Sequence, residues 1–348
     1  MKASSNANGN DTPRFDLLTM GRSSIDLYSN DIGAPFEEIT SFAALVGGSP
    51  LNIAVGAQRM GLRTSLLTAI GQDKVGSFLL GFLKREGVDV GFVPVKPEAR
   101  TSAVLLGIEP PDRFPLVFYR DNAADMQLDI DDVQAAPIAD TAAIEVSGTG
   151  LSREPSRSAT FLACELARAA GRTVYFDLDF RADQWHDPRA YGVMARALLP
   201  LVDVAIGTEE ELNAMMLRDP ADIVITDQQI SAPVIRGDTE ANIMRVMSMP
   251  SGPEALIVKR GEHGASVHLR GGETLSVPGF EVEVVNILGA GDAFAAGFIT
   301  GRASGWDWYR SVRHGNAAGA MVVTRQGCAN AMPTASELDS FIAGHGGY

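Results

Sequence analysis

Cysteine is scarce in this 348-residue chain, which contains only Cys164 and Cys328. Two cysteines are too few for a disulfide framework or a thiolate zinc site, and free cysteines in a reducing compartment are usually buried. The five histidines show no spacing typical of metal ligands. We therefore expect two buried thiols and no histidine-based metal centre.

Positive charge is also in short supply. Lysine and arginine total 29 against 43 acidic residues, which gives a formal net charge of −14. Such a surface repels a phosphate backbone, so nucleic-acid binding is disfavoured, and an anionic ligand would need a local group of donors.

Long hydrophobic runs are missing too. No apolar stretch approaches the ~18–20 residues that a membrane helix requires, and Met1 to Pro13 is too polar for a secretory signal. The sequence predicts a disordered tail over 1–13 and then a soluble, cytoplasmic protein that binds neither membranes nor nucleic acid.

The rest of the composition is that of an ordinary globular protein, with 45% hydrophobic and 21% charged residues. Strand-like runs alternate with helical patterns at both ends of the chain, which favours an α/β fold with a doubly wound, mostly parallel sheet flanked by helices. Residues 88–120 instead contain successive strand candidates, which indicates a small antiparallel sheet beside the main one. We expect a further strand at the valines of 282–285 and an exposed insertion over 219–241.

A glycine-rich turn follows these valines and is the strongest local motif. Gly289-Ala290-Gly291-Asp292 leads directly into a helix of small residues. Free backbone N–H groups and the helix dipole make such a start an anion-binding site. A carboxylate there suits a base that accepts a proton from a hydroxyl attacking a bound phosphate, although a glycine turn with an aspartate N-cap explains the four residues alone.

A second glycine-rich segment lies near the other end of the chain. Gly47-Gly48-Ser49-Pro50-Leu51-Asn52 combines close backbone approach with an asparagine on the first turn of a helix. Asparagine can both donate to and accept from a polyol, whereas the alternative is a tight turn with a buried helix cap.

Together the two motifs are far more specific than either alone. The pattern Gly-Gly-x-Pro-x-Asn-x-Ala, followed by Gly61 and Gly71, resembles the first signature of the ribokinase-like (PfkB) carbohydrate kinases, and Gly-Ala-Gly-Asp resembles the second. The resemblance extends over roughly 15–323. It implies a ribokinase-like kinase domain over 14–340, with a β lid formed by parts of 22–46 and 88–120.

Within this family the chain most resembles the 5-dehydro-2-deoxygluconate kinases of inositol catabolism, through Gly21-Arg-Ser-Ser-Ile-Asp-Leu-Tyr and the stretches 101–119 and 207–211. The implied reaction is ATP-dependent phosphorylation of the 6-hydroxyl of 5-dehydro-2-deoxy-D-gluconate. The alternatives are a 2-keto-3-deoxygluconate kinase or fructokinase of the same fold, or an inactive sugar- or nucleotide-binding sensor.

The resemblance also implies roles for individual residues. Asp292 would be the catalytic base, and Gly289, Ala290 and Gly291 would stabilise the transferred phosphoryl group. Substrate hydroxyls would be held by Asp26, Gly47, Gly48 and Asn52, and the substrate carboxylate by Arg120. Arg181 would lie near the substrate or the phosphate, unless it forms only an ion pair with Asp177 or Asp179.

On the nucleotide side the resemblance implies binding of ATP with Mg²⁺. The residues implied there are Thr208, Lys259, Gly261, Gly264 and Asn316, with Glu211 positioning the metal through water.

Two departures from the family pattern matter. Thr208 stands where an asparagine is usual, and Asn286-Ile287 replaces the Asp-Thr that helps to form a monovalent-cation loop. The need for potassium is therefore left open. Members of the family often pair through their lids, so a homodimer is possible.

Overall fold

The computed structural model describes residues 12–109, 113–225 and 233–348. The predicted tail over 1–13 therefore lies almost wholly outside the described residues. The strands, in chain order, are β1 Phe15–Met20, β2 Ser24–Ser29, β3 Phe42–Gly47, β4 Thr64–Leu67, β5 Ile70–Gly71, β6 Val95–Lys96, β7 Ser102–Leu106, β8 Leu116–Tyr119, β9 Thr141–Ser147, β10 Thr173–Asp177, β11 Val204–Thr208, β12 Ile223–Val224, β13 Val234–Ile235, β14 Ala255–Lys259, β15 Ala265–Leu269 and β16 Thr274–Val277.

Helices alternate with most of these strands. They are α1 Ser49–Arg59, α2 Lys74–Glu86, α3 Ile130–Ala135, α4 Ser156–Ala169, α5 Pro188–Leu198, α6 Glu209–Met216, α7 Thr239–Met247, α8 Ala290–Ala303, α9 Trp308–Val323 and α10 Ala335–Gly344. No helix among the described residues is both long and apolar enough to cross a membrane.

The main sheet has eight strands in the order β16-β15-β14-β11-β10-β9-β1-β4. The six strands from β14 to β4 pair in parallel, and β15 and β16 add an antiparallel edge. The predicted α/β class with a mostly parallel sheet flanked by helices is confirmed.

Each face of the sheet carries its own hydrophobic core. On one face, α4, α5, α6 and α7 pack on residues such as Ile144, Val174 and Phe176. On the other face, α1, α8, α9 and α10 pack on Leu17, Tyr175 and their neighbours. Because both faces are covered, the central strands are apolar almost throughout, as parallel strands generally are.

A separate four-stranded sheet has the order β3-β2-β7-β8, and except for Gly47 at the end of β3 its strands lie within the ranges predicted for the lid. It is mixed rather than wholly antiparallel, because β2 and β7 pair in parallel. Its role as a lid stays a prediction.

The predicted strand at the valines of 282–285 is wrong. This segment forms no strand, and Val282 and Val284 instead line a pocket beside α8. The backbone N–H of Val285 donates to the carbonyl of Val323 on α9, so the hydrogen bond goes to a helix end rather than to a strand. The first strand candidate of 88–120, over 88–95, is also mostly absent: Asp89 forms a single parallel bridge to Ser65 of β4, and Val95–Lys96 pairs with β5.

The predicted insertion over 219–241 contains the short β12–β13 hairpin and the start of α7. Its central part, 226–232, lies outside the described residues. The last helix, α10, was not predicted from the sequence. Its Leu338 and Ile342 are fully buried in the core on the α8 and α9 face.

Close approach of the chain at the ends of β9 and β10 generates a stability prediction. A Cβ added at Gly148 would lie 2.0 Å from the carbonyl oxygen of Leu178, so Gly148→Ala must displace backbone. We expect this variant to lose at least ~2 kcal/mol of unfolding free energy in urea titrations. Gly81→Ala, on α2 and with only Arg85 Nη1 at 3.5 Å, is the control and should gain ~0.5–1 kcal/mol. Equal effects of both changes would contradict the steric argument.

Candidate active site

Polar residues collect where the parallel strands of the main sheet end. Arg22 follows β1, Asp177 is the last residue of β10, and Thr208 and Lys259 end β11 and β14. The carboxyl ends of parallel strands lie at one edge, which is where ligands bind in open α/β sheets. The starts of α1 and α8 lie against one another at the same edge, since these two helices pack together.

The start of α8 provides free hydrogen-bond donors. Gly289 is its N-cap, with a φ of 83°, and the first return bond runs from Ala293 N–H to the Gly289 carbonyl. The N–H groups of Gly291 and Asp292 donate to no acceptor within the described part of the chain. A side chain at Gly289 would meet Cys328 Sγ at 2.9 Å. This turn therefore has the geometry of an anion site.

Asp292 and Asn52 join the starts of the two helices. Asn52 Nδ2 donates to Asp292 Oδ2 at 2.6 Å. Asn52 is buried, and its Oδ1 has no hydrogen-bond partner in the described structure. Burying such an acceptor is costly, so the amide oxygen is poised to accept from a ligand hydroxyl. The two motifs at opposite ends of the sequence thus meet in one place.

Asp26 lies on β2 and faces the turn that precedes α1. A Cβ at Gly47 would come within 1.9 Å of Asp26 Oδ2, so only glycine fits at 47. Gly48, with a φ of 111°, is the N-cap of α1. Ser24 Oγ donates to Asp26 Oδ1 at 2.7 Å. Burial raises the pKa of Asp26 to about 6, against the opposing charge of Arg22, and the carboxylate of Asp292 adds a smaller upward effect.

Lys259 places a positive charge beside the α8 turn. Its Nζ lies 2.9 Å from the position that a Cβ on Gly291 would occupy. It also lies 3.6 Å from Asp177 Oδ1 and 3.9 Å from Glu211 Oε2. Burial acts to lower the pKa of Lys259, but the surrounding carboxylates, Asp177 first, raise it above the ordinary value.

For Asp177, in contrast to Lys259, burial rather than the neighbouring charges decides the direction of the pKa shift. Burial raises its pKa to about 7, although Lys259 opposes this shift, and its Oδ1 has no hydrogen-bond partner among the described residues. Its other oxygen accepts from Ser49 Oγ at 2.7 Å, which ties the end of β10 to the start of α1.

A pocket of about 820 Å³ opens beside Lys259 and the α8 turn. It has apolar walls, including Phe280, Phe294 and Val323, and a polar end. The structure brings together in this pocket all five residues predicted on the nucleotide side and two of the turn, namely Thr208, Lys259, Gly261, Gly264, Asn316, Ala290 and Gly291.

Two of these residues have their side chains engaged in the fold. Asn316 Nδ2 donates to the carbonyls of Val277 and Pro278 at 3.1 and 3.0 Å, which fixes the pocket wall. Thr208 forms a capping box with Glu211 at the start of α6, since each side chain accepts from the other's backbone N–H. Threonine in place of the usual asparagine is therefore a good helix cap.

No cluster of three or more histidine, cysteine or acidic side chains that could hold a metal by itself occurs within 12–109, 113–225 and 233–348. Asn286 accepts from the N–H of Leu288 at 3.1 Å through Oδ1, and its Nδ2 has no partner among the described residues. The effect of this residue on a monovalent cation stays an open prediction.

Most of the hydrogen-bond donors of Arg120 are engaged within the protein. It is buried, with two bonds to Asp125 Oδ2 at 2.9 and 2.5 Å, one to Gln184 Oε1 at 2.5 Å, and one to the Thr149 carbonyl at 3.2 Å. Four of its five N–H donors are thus used within the protein. The prediction that it binds a substrate carboxylate receives no geometric support.

Arg181 forms an ion pair with Asp179, Nη2 to Oδ1 at 3.1 Å, rather than with Asp177. Its Nε is buried and has no partner among the described residues. Asp179 itself has a φ of 28°, which is rare for a residue other than glycine. Although burial acts to raise it, the pKa of Asp179 is lowered, mainly by Arg181 and Arg22.

Sequence reasoning missed Arg22, Ser49 and the part played by Asp177. Arg22 is buried, and its Nη1 donates to Ser24 Oγ at 2.8 Å. A charged residue two positions after a buried strand and four positions before Asp26 was the available signal. Ser49 and Asp177 could not be paired without the fold, since 128 positions separate them.

The family follows from a comparison with known families. Residues 14–335 match the model described as pfkB family carbohydrate kinase, so the chain belongs to that family, as its sequence predicted.

Among individual relatives, the chain is 34% identical over 329 residues to a protein of Geobacillus thermodenitrificans named 5-dehydro-2-deoxygluconokinase, covering 94% of this chain and 93% of that one. A Bacillus anthracis protein of the same name is 33% identical over 94% of this chain and 95% of its own length.

Solved structures agree in fold. A putative ribokinase II from E. coli superposes with a TM-score of 0.82 at 24% identity, covering 95% of this chain and 99% of that one. A fructokinase from Xylella fastidiosa with bound ATP gives a TM-score of 0.79 at 25% identity, over 94% and 98% of the two chains.

The raised pKa of Asp26 generates a pH prediction. Because the folded state holds this proton more tightly than the unfolded chain, the contribution of Asp26 to stability falls as pH rises from about 4 to about 6. Asp26→Asn should therefore stabilise the protein at pH 7.5, by on the order of 2–3 kcal/mol, and much less at pH 4. Urea titrations at both pH values measure this. Asp121→Asn, at a side chain that is 96% exposed, should change neither value. A stability gain for Asp26→Asn that is the same at both pH values would contradict the assignment.

Proposed function

We propose that this protein is an ATP-dependent kinase that phosphorylates the 6-hydroxyl of 5-dehydro-2-deoxy-D-gluconate. The observation that carries the proposal is the position of Asp292 in a turn of free N–H groups, bonded at 2.6 Å to an asparagine from the other motif. The curated relatives, which match nearly the whole chain, supply the substrate.

Asp292 is the base in this proposal. It accepts the proton of the terminal hydroxyl as that oxygen attacks the γ-phosphorus of ATP, and the bond from this phosphorus to the β,γ-bridging oxygen breaks. The hydrogen bond from Asn52 fixes the rotamer of the carboxylate. Asp26, Gly47, Gly48 and Asn52 hold the remaining hydroxyls, with the Asn52 Oδ1 atom and the Asp26 carboxylate as acceptors.

The start of α8 and Lys259 act on the transferred group. The N–H groups of the turn, from Gly289 to Asp292, and the helix dipole stabilise charge that spreads over its oxygens. Lys259 is mostly buried, with a side chain that is 12% exposed, and it stays protonated because its carboxylate neighbours raise its pKa. It therefore supplies a permanent positive charge beside this turn in an otherwise acidic protein.

The nucleotide is proposed to lie in the pocket beside α8. Its volume of about 820 Å³ and apolar walls suit an adenine ring, and its polar end meets Lys259 and Gly291. The fructokinase structure of the same fold contains ATP.

The carboxylates present fit a magnesium ion. Asp177 has a buried oxygen without a hydrogen-bond partner in the described structure, and Glu211 lies beside the same lysine. Glu211, through water, is the residue proposed to hold the ion. When bound with the nucleotide, Mg²⁺ neutralises phosphate charge.

The four-stranded sheet is proposed as the lid of a single kinase domain over 14–340, with pairing of two lids as the route to a homodimer. A 2-keto-3-deoxygluconate kinase or a fructokinase is the alternative within the fold. A coupled ADP-release screen with the keto-deoxy acids and fructose, with and without potassium, distinguishes these substrates. No turnover with any sugar would favour the inactive sensor.

Replacing the base tests the mechanism. Asp292→Asn keeps the size of the side chain but cannot take a proton, so turnover should fall by roughly 10²–10⁴ while sugar binding changes little. Steady-state assays and calorimetric titration of the sugar measure the two effects. Asp339→Asn, at an exposed residue of α10, serves as the matched control. An Asp292→Asn variant with normal turnover would remove this residue from the role of base.

Lys259 and its neighbour Arg260 form a matched pair for the nucleotide site. Lys259→Met removes the charge beside the α8 turn and should raise the KM for ATP at least ~10-fold, since a charge-assisted contact to phosphate is lost. Arg260 pairs instead with Glu209 and Glu240, at 2.8 and 3.0 Å, so Arg260→Gln should leave that KM nearly unchanged. The opposite ranking of the two variants would contradict the placement of the phosphates.

A further inference from the structure

Arg22 is a buried cation without a counter-ion in contact. It is 7% exposed, and no carboxylate of the described residues lies within 4 Å of its guanidinium. Its one hydrogen bond to a described residue runs from Nη1 to Ser24 Oγ, at 2.8 Å. The Nε atom is buried without a partner, and Nη2 likewise donates to no described residue. Leaving a buried charge in this state is expensive.

The two unused nitrogens form one edge of the guanidinium. The Nε and Nη2 edge is the face that arginine presents to a carboxylate in a bidentate pair. The Phe118 ring of β8 lies 5.2 Å from Cζ, so the guanidinium also packs over an aromatic ring. The free edge thus belongs to a side chain that is largely buried, a setting in which an ion pair is stronger than in open solvent.

Arg22 is also placed within the sugar site. Its carbonyl oxygen lies 2.3 Å from where a Cβ on Gly48 would be, so its backbone touches the turn before α1. Among the groups that lower the pKa of Asp26, the positive charge of Arg22 has the largest effect. The carboxylate of Asp292 raises this pKa and has a smaller effect. Both of these charged groups therefore act on Asp26, the carboxylate that is proposed to hold substrate hydroxyls.

We propose that Arg22 binds the carboxylate of the sugar acid through its Nε and Nη2 edge, and so selects acids over neutral sugars. This inference rests on the proposed function. It assigns to Arg22 the role that the sequence suggested for Arg120, whose donors are already used by Asp125, Gln184 and Thr149. Arg181, in contrast, has Asp179 as its partner at 3.1 Å.

The test compares two substrates with two enzymes. The substrates are 5-dehydro-2-deoxygluconate and its uncharged C1 amide, and the enzymes are the wild type and Arg22→Gln. We expect the wild type to prefer the acid by about 100-fold in kcat/KM, and Arg22→Gln to lose this preference by raising the KM for the acid alone. Arg22→Lys, which keeps the charge without the fork, should recover part of it.

Several outcomes overturn the inference. If Arg22→Gln loses acid and amide equally, Arg22 has a structural role only. If the wild type has the same kcat/KM for the acid and its amide, no residue of the enzyme recognises the carboxylate. If the wild type phosphorylates no sugar acid, the proposed function itself has failed, and the inference fails with it.

A structure of the wild type covers the case in which the variants do not fold. With the sugar acid and a non-hydrolysable ATP analogue bound, a carboxylate within about 3.2 Å of Arg22 Nε or Nη2 supports the inference. A carboxylate bound by Arg120 or Arg181 instead, or exposed to solvent, overturns it.

Discussion

The arrangement of the candidate site depends on the hydrogen bond between Asn52 and Asp292. This bond joins residues 240 positions apart in sequence, on the first turns of α1 and α8, and these two helices pack on the same face of the main sheet. Each helix brings a glycine-rich turn with it. The two turns, which are proposed to bind the sugar and the phosphate, are thus joined by one short contact at 2.6 Å.

Charge is the second constraint. The chain has an excess of 14 negative charges, and several of its carboxylates lie close together at the ends of the strands that form the site. Lys259 and Arg181 each have a carboxylate beside them, which leaves Arg22 as a cation without a contacting counter-ion in the described structure. The raised pKa of Asp26 and of Asp177 shows how much burial opposes ionisation here. A ligand with hydroxyl donors and one negative charge would therefore match the acceptor carboxylates and the unpaired guanidinium of this site.

Local patterns were enough to predict much of the architecture. The alternation of strands and helices predicted the doubly wound sheet, and the two glycine motifs predicted the family, because turns that require glycine leave a readable signature. The same reasoning failed at the valines of 282–285. Their composition is typical of a strand, yet the segment pairs with the end of α9 and lines a pocket. Valine favours strands largely because its side chain packs well on an apolar surface, and the wall of a pocket offers such a surface as well.

The sequence by itself determined the fold class and the family, since alternating elements and turns that require glycine are local features, whereas Asp292 as the base stays a prediction. Only the tertiary structure decided which arginine has donors to spare. Arg120 and Arg22 look alike in the sequence, as single arginines at strand ends. Contacts with Asp125, Gln184 and Thr149 satisfy the first, whereas the second is buried with one edge free. That difference depends on which residues the fold packs around each guanidinium, and this information is not local.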